Sequence, residues 1–390
     1  MMWYNIPMTL SEELIYRGFH AETTIKNPKS LDEHPRNFYL GADPSADSLT
    51  IGNLAALMMC RVFVKHGHHA NLLVGGATGQ IGDPKDTVER DLKSLDEIAI
   101  NKAKIAAQMS SIVGSDVPVY DNLDWFKDMK YLDFLRTIGK SFSMTQLMDR
   151  QFIQSRMGEG GSGISYAEFS YTLIQGYDFY HLYKEHNIDL QLCGADQYGN
   201  CASGLHLIRT LLQGSADIWS TPLVIDPVTG RKFGKSEGNA VWLDENKTSV
   251  FDYYQFWLGQ PDTSVEYLLK IYTELSKDEI ESLKKSQSEH PELRSAQKAL
   301  AKDSTRIVHG LENAENVERL TEQLKSGDID DALAEQYLPK IENREDLPGE
   351  LARIGFAKSK SDARNLIKNN AIKIDDHILR RGKNKFAFIK

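Results

Sequence analysis

At 390 residues, with 41% apolar and 26% charged residues, the chain is long enough for two or three globular domains, and its ordinary composition excludes fibrous and disordered classes. No apolar run is long enough to span a bilayer, and residues 1–5 lack the basic and apolar regions of a secretory signal. Cys60, Cys193 and Cys201 are too few and too widely spaced for a disulfide framework or a zinc site, so a reduced, cytoplasmic protein without membrane attachment is expected.

Residues 1–35 read as a helical lead-in, with Leu10, Leu14, Ile15 and Phe19 at helical spacing. Strands and helices then alternate. Strands are expected over 37–40, 69–74, 117–121, 190–192 and 222–225, and helices over 53–66, 98–113, 167–183 and 205–212. This alternation predicts an α/β domain with a mostly parallel sheet covered by helices on both faces. Ligands of such folds sit outside the carboxyl ends of the strands, where the turns 41–53, 75–84 and 194–199 fall. From about residue 250 the strand signals stop. Residues 250–325 read as Glu- and Lys-rich helices, 326–348 as a polar, acidic linker, and 351–390 as a small basic α+β unit with a helix over 361–368 and strands over 371–374 and 385–389. The net charge of −9 is uneven. Residues 351–390 hold 11 Lys/Arg against 3 Asp, a net +8 that leaves −17 on the first 350 residues. A basic tail of this kind either meets a polyanion or is a solvated surface.

Two segments point to phosphate chemistry. Asp43-Pro44, Ser48 and Gly52-Asn53 frame a turn at a helix start, where free N–H groups and the helix dipole suit an anion, and Gly41 and Gly52 let a ligand approach the backbone. Taken alone, Asp43 serves equally as a turn residue and Asn53 as a cap. Far downstream, Lys232-Phe-Gly-Lys235-Ser236 sets two lysines around a flexible glycine, so that both ammonium groups can reach one polyphosphate. Tyr171, Gln175 and Asp178 recur at helical spacing and put three polar groups on one face.

Together with Gly75-Gly-Ala-Thr-Gly79, Ile81-Gly-Asp-Pro84, Asn122-Leu-Asp-Trp125, Phe169-Ser-Tyr171, Gln175-Gly-Tyr-Asp178 and Gly194-Ala-Asp-Gln197, these segments make the chain resemble bacterial tyrosyl-tRNA synthetases of class I, of the type ending in an S4-like domain. The resemblance implies a Rossmann-like catalytic domain over 1–245, a helical anticodon-binding domain over 246–325, the linker 326–348 and an S4-like RNA-binding domain over 349–390. It implies tyrosine--tRNA ligase activity: tyrosine and ATP give tyrosyl-adenylate and pyrophosphate, and tyrosine then passes to the 3′ end of tRNA(Tyr). Tyr39 and Asp178 would bind the phenol hydroxyl, Asp83, Tyr171 and Gln175 the ammonium group, and Gln197 would lie near the carboxylate. Gly41, Asp43, Gly52, Gly194, Asp196, Leu223 and Val224 would contact ATP. Thr50, Asn53, Lys232, Lys235 and Ser45 would act on the phosphates, and Lys85 and Arg90 fall where relatives carry basic residues. Mg2+ would accompany ATP without a protein metal site, and a homodimer is implied. Lys358, Lys360, Arg364 and Lys368 would present one basic face to RNA phosphates.

The chain departs from the family at one signature, where Thr50 and Asn53 stand in place of two histidines. A threonine hydroxyl is shorter than an imidazole and carries no charge. Three readings therefore stay open: a ligase that works with Thr50, a ligase whose position 50 was altered deliberately, and a synthetase-like RNA-binding protein with impaired activation. A tryptophan-specific relative is disfavoured, because indole offers no hydroxyl to Tyr39 and Asp178.

Overall fold

The computed structural model describes residues 8–84, 92–148, 151–157, 162–225, 230, 233, 240–375, 377–382 and 385–389, with the backbone alone at 146, 151, 152 and 155. The chain divides into two compact units, Met1–Leu243 with Lys270–Tyr272, and Asp244–Leu269 with Thr273–Lys390.

The first unit is built on a five-stranded parallel sheet of β1 (Asn37–Ala42), β2 (His69–Val74), β3 (Val119–Asp121), β4 (Leu190–Gly194) and β5 (Asp217–Thr221), in the order β3-β2-β1-β4-β5. The central strands are near-continuous apolar runs because helices cover both faces of such a sheet. Its main helices are α1 (Leu10–Arg17), α2 (Ile51–Lys65), α3 (Leu95–Val113), α4 (Tyr166–His186) and α5 (Tyr198–Leu212). This is the Rossmann-like α/β architecture expected from the alternation.

Two expectations shift. The fifth strand is 217–221, not 222–225. Pro222 has no N–H to extend the ladder, and Leu223 and Val224 turn into a cleft instead. The lead-in is helical only over α1 and a short 3-10 turn at Pro28–Asp32. Gly18 ends α1 in the left-handed region, and residues 21–24 then run along β5, with the Ala21 N–H donating to Ser220 O at 2.9 Å and the Thr24 N–H to Ile218 O at 3.1 Å.

A buried carboxylate ties α1 to the end of α2. Glu13 meets Arg17 Nε at 2.8 Å, Lys65 Nζ at 3.0 Å and His66 Nε2 at 2.7 Å. Burial pushes its carboxyl upward, but these groups outweigh burial and hold it down at about 2. Residues 270–272 join this unit because Tyr272 donates its hydroxyl to Ile51 O at 3.1 Å and Arg17 donates to Lys270 O at 2.9 Å.

The second unit combines helices, among them Val250–Leu258, Ser295–His309 and Leu311–Ser326, with a four-stranded sheet. The strands β6 (Lys340–Ile341), β7 (Ile372–Asp375), β8 (Ile378–Arg381) and β9 (Lys385–Ile389) lie in the order β6-β9-β8-β7. They share a core of Ile341, Leu351, Phe356, Ala363, Leu379 and Ile389. The stretch expected as a linker, 326–348, thus carries ordered structure: Asp330 caps a helix at Asp331–Tyr337, and β6 pairs in parallel with β9. Its acidic composition hid a two-residue strand too short to leave a periodic signal. Among the described residues no helix is long and apolar enough to cross a membrane.

His309 lies at the end of its helix, edge-on to Tyr253 at 4.8 Å, with Nε2 buried and lacking a hydrogen-bond partner among the described residues. Burial lowers its imidazole from 6.5 to about 4. The unfolded chain therefore takes up a proton below about pH 6.5 that the folded chain refuses until about pH 4, and stability falls across that window as the pH drops. Urea denaturation should show a lower midpoint at pH 4.5 than at pH 7, and His309→Leu should flatten that fall.

Candidate active site

The strand order reverses between β1 and β4, and a cleft of about 1670 Å³ opens at their carboxyl ends. A crevice at this reversal is the ligand position for open parallel sheets. Of the cleft and signature residues predicted from the sequence, Tyr39, Gly41, Asp43, Ser45, Thr50, Gly52, Asn53, Asp83, Tyr171, Gln175, Asp178, Gly194, Asp196, Gln197, Leu223 and Val224 all line this cleft. Lys232 and Lys235 lie outside the described residues, as do Lys85 and Arg90.

At the floor, Tyr39 pairs in register with Gln191 of β4 and rests its ring against Phe179 at 5.4 Å. Its hydroxyl is buried, with no hydrogen-bond partner among the described residues. Asp178, only 2% exposed, projects from α4 close by. Its Oδ2 accepts from Asn122 Nδ2 at 3.1 Å and its Oδ1 from Trp125 Nε1 at 2.9 Å. Burial pushes the Asp178 carboxyl well above its ordinary range against the pull of these two donors, and burial pushes the Tyr39 phenol up as well.

Above the floor, Asp43 Oδ1 accepts from the Thr78 hydroxyl and Oδ2 from the Tyr171 hydroxyl, each at 2.7 Å. Thr78 in turn accepts from Asn122 Nδ2 at 3.0 Å, so one chain of hydrogen bonds joins Asp43 to Asp178. Gly75 leaves the room this needs, since a Cβ there would stand 2.1 Å from Asp43 Oδ1 and 2.2 Å from Thr78 Oγ1. On the facing wall Asp83 accepts from Gln197 Nε2 at 2.9 Å and Asn200 Nδ2 at 3.3 Å, and Gln175 Nε2 donates to Gln197 Oε1 at 3.3 Å. The other amide oxygen, Gln175 Oε1, is buried and without a partner among the described residues.

The turn leading into α2 forms the outer lip. Thr50 is the residue before α2, and both its N–H (3.0 Å) and its hydroxyl (3.1 Å) donate to Asn53 Oδ1. The two substituted signature positions are thus bonded to each other, with the Asn53 amide oxygen as the common acceptor. Helix α3 braces the turn from behind: Asn101 Nδ2 donates to Pro44 O at 3.2 Å, Gln108 Nε2 to Ser48 Oγ at 3.0 Å, and the Leu49 N–H to Gln108 Oε1 at 2.8 Å.

The 75–79 and 122–125 motifs stand out in the sequence without roles for Thr78, Asn122 and Trp125, and Gln108 lies in no motif. The Asn122-x-x-Trp125 spacing in a turn after a strand was the available signal; nothing local marks Gln108. In the second unit Lys358, Lys360, Arg364 and Lys368 are all exposed, three of them on the helix Lys360–Lys368, and Lys360 pairs with Asp346 at 2.7 Å. Among the described residues no group of three or more His, Cys, Asp or Glu is placed to hold a metal ion.

A strand-reversal cleft with a polar, carboxylate-bearing floor and a helix N-terminus at its lip suits a small amino compound beside a nucleotide. The family of tRNA synthetases class I (W and Y) matches residues 31–325, and the chain belongs to it. It is 38% identical to a tyrosine--tRNA ligase of Streptococcus suis, over 98% of this chain and all of that one. Among solved structures it is similar to C-terminally truncated mitochondrial tyrosyl-tRNA synthetases of Aspergillus nidulans (26% identity, TM-score 0.73, covering 82% of this chain and 95% of that one) and Coccidioides posadasii (27%, 0.70, 81% and 92%).

Gly75→Ala should drive Asp43 and Thr78 apart. A displacement on this scale costs about 10²-fold in turnover when it moves substrate-positioning groups. Substrate-dependent turnover should fall by that order while circular dichroism stays unchanged.

Proposed function

We infer that this chain is a tyrosine--tRNA ligase, and we propose roles for its cleft residues. The observation that carries the choice of tyrosine is the buried Tyr39 hydroxyl, without a partner among the described residues, beside the buried Asp178 carboxyl group. A substrate phenol hydroxyl can accept from Tyr39 and donate to Asp178. Phenylalanine would leave both groups unpaired, and sites of this kind discriminate by about 10⁴–10⁵ without editing. The relatives that align with nearly the whole chain favour the ligase over a synthetase-like protein that only binds RNA.

In the proposed reaction the tyrosine ammonium group sits among Asp83, Tyr171 and Gln175, with the Gln175 amide oxygen free to accept from it, and its carboxylate lies near Gln197. ATP lies along Gly41, Asp43, Gly52, Gly194, Asp196, Leu223 and Val224. The tyrosine carboxylate attacks the α-phosphorus, and pyrophosphate leaves with its charge met by Ser45, Thr50, Asn53, Lys232 and Lys235. Catalysis here needs alignment of two anions and dispersal of charge more than covalent chemistry. Mg2+ enters with ATP as part of that substrate. Transfer to the 3′ end of tRNA(Tyr) follows. The helical residues 246–325 are proposed to approach the anticodon, and the basic face of Lys358, Lys360, Arg364 and Lys368 to hold RNA phosphates. A cytoplasmic homodimer is proposed from the resemblance; exposed Tyr131, Leu132, Met144 and Tyr166 offer apolar surface for it.

Tyrosine-dependent ATP–pyrophosphate exchange, measured beside Thr50→His, tests the reading. Exchange in the native chain is expected. Silence in the native chain with recovery in the variant would make Thr50 the lesion in an otherwise correct site, and silence in both would sink the ligase reading. The double variant Arg364→Glu/Lys368→Glu should raise the KM for tRNA in aminoacylation and leave exchange unchanged.

A further inference from the structure

Asp178 depends on Trp125 for one of its two hydrogen bonds, and Trp125 has a neighbour that the reaction does not otherwise use. His181 lies three residues beyond Asp178 on α4, so it falls on the same side of the helix, one turn further along. Its imidazole stacks on the Trp125 indole with ring centroids 4.4 Å apart and planes 23° from parallel. The indole N–H in this orientation donates to Asp178 Oδ1 at 2.9 Å. The ring of His181 is half-buried, bordered by Tyr177 at 6.0 Å and His186 at 6.1 Å. Burial lowers its pKa below the ordinary value, which keeps it an uncharged, flat surface at neutral pH.

We propose that His181 is a positioning residue for substrate selection: its ring fixes the plane of Trp125, and Trp125 in turn fixes the Asp178 oxygen that reads the substrate hydroxyl. This rests on the tyrosine reading of the cleft. Asp178 lines the cleft, whereas Trp125 and His181 are not among the described residues that line it, so loss of the stack acts through Asp178, on the amino acid and not on ATP. An indole released from the stack can tilt, and a donor that tilts no longer holds Oδ1 at one place. Asn122 still holds Oδ2, so the carboxylate keeps one of its two anchors and the effect is partial.

The test is exchange kinetics on the full chain with His181→Ala and His181→Phe. An aromatic pair of this geometry corresponds to roughly a three- to tenfold effect. His181→Ala should raise the KM for tyrosine by that factor and lower the preference for tyrosine over phenylalanine to a similar extent, with kcat and the KM for ATP unchanged. His181→Phe, which keeps a flat ring, should return both toward the native values. An unchanged tyrosine KM and preference in His181→Ala, a shift of the ATP KM in step with that for tyrosine, or a His181→Phe variant as impaired as His181→Ala would each overturn the proposal. Silence in both the native chain and Thr50→His would instead remove the ligase reading, and this inference with it.

Discussion

The site depends on burying a carboxylate that meets no cation among the described residues. Asp178 sits at the floor of the cleft, where desolvation disfavours its charged form, and the N–H donors of Asn122 and Trp125 oppose this. A buried carboxyl group in this position constrains its surroundings strongly, because every lone pair left unmatched is costly. The Asn122-Leu-Asp-Trp125 turn must therefore follow β3 closely enough to face α4, and α4 must run beneath the crevice between β1 and β4. Asn122 also reaches Thr78, which carries the same constraint on to Asp43 and Tyr171. The floor and the wall of the cleft are one connected set of hydrogen bonds, and the sheet order supplies the gap in which that set can close.

The outer lip obeys a different logic. It is a turn with buried Ser48, Leu49 and Thr50, held by side chains of α3 and by backbone bonds of Ile51 N–H to Val241 O at 3.1 Å and Leu243 N–H to Leu49 O at 2.9 Å. The floor has fixed polar groups in a low-dielectric setting, whereas the lip has backbone amides, hydroxyls and glycines. An amino acid that must be distinguished from a near isostere needs the first kind of surface. A polyphosphate that must arrive, react and leave in pieces is served by the second.

Much of this was legible in the sequence. The strands of the sheet stand out because parallel strands buried on both faces are apolar runs bounded by Gly and Asp turns, and the site residues stand out because their motifs are specific. What stayed hidden has physical causes. The fifth strand was displaced by five residues because the apolar run 222–225 reads as a strand, although Pro222 stops the ladder. Strand β6 is two residues long and exists only because β9, more than forty residues later, pairs with it. The donors to Asp178 come from more than fifty residues upstream, and the Gln108 contacts join a helix face to a turn nearly sixty residues before it. Contacts at such separations leave no local periodicity to read.

The Leu49 amide has a particular place in this arrangement. It is bonded to a side-chain oxygen, that of Gln108, rather than to a carbonyl of the main chain. Amides of the sheet are bonded to carbonyls of neighbouring strands, whereas this one is bonded to a side chain of α3, although Leu49 is buried and its own carbonyl accepts from the Leu243 N–H at 2.9 Å. The lip is therefore gripped from two sides, and a shift of α3 reaches its main chain directly through Gln108.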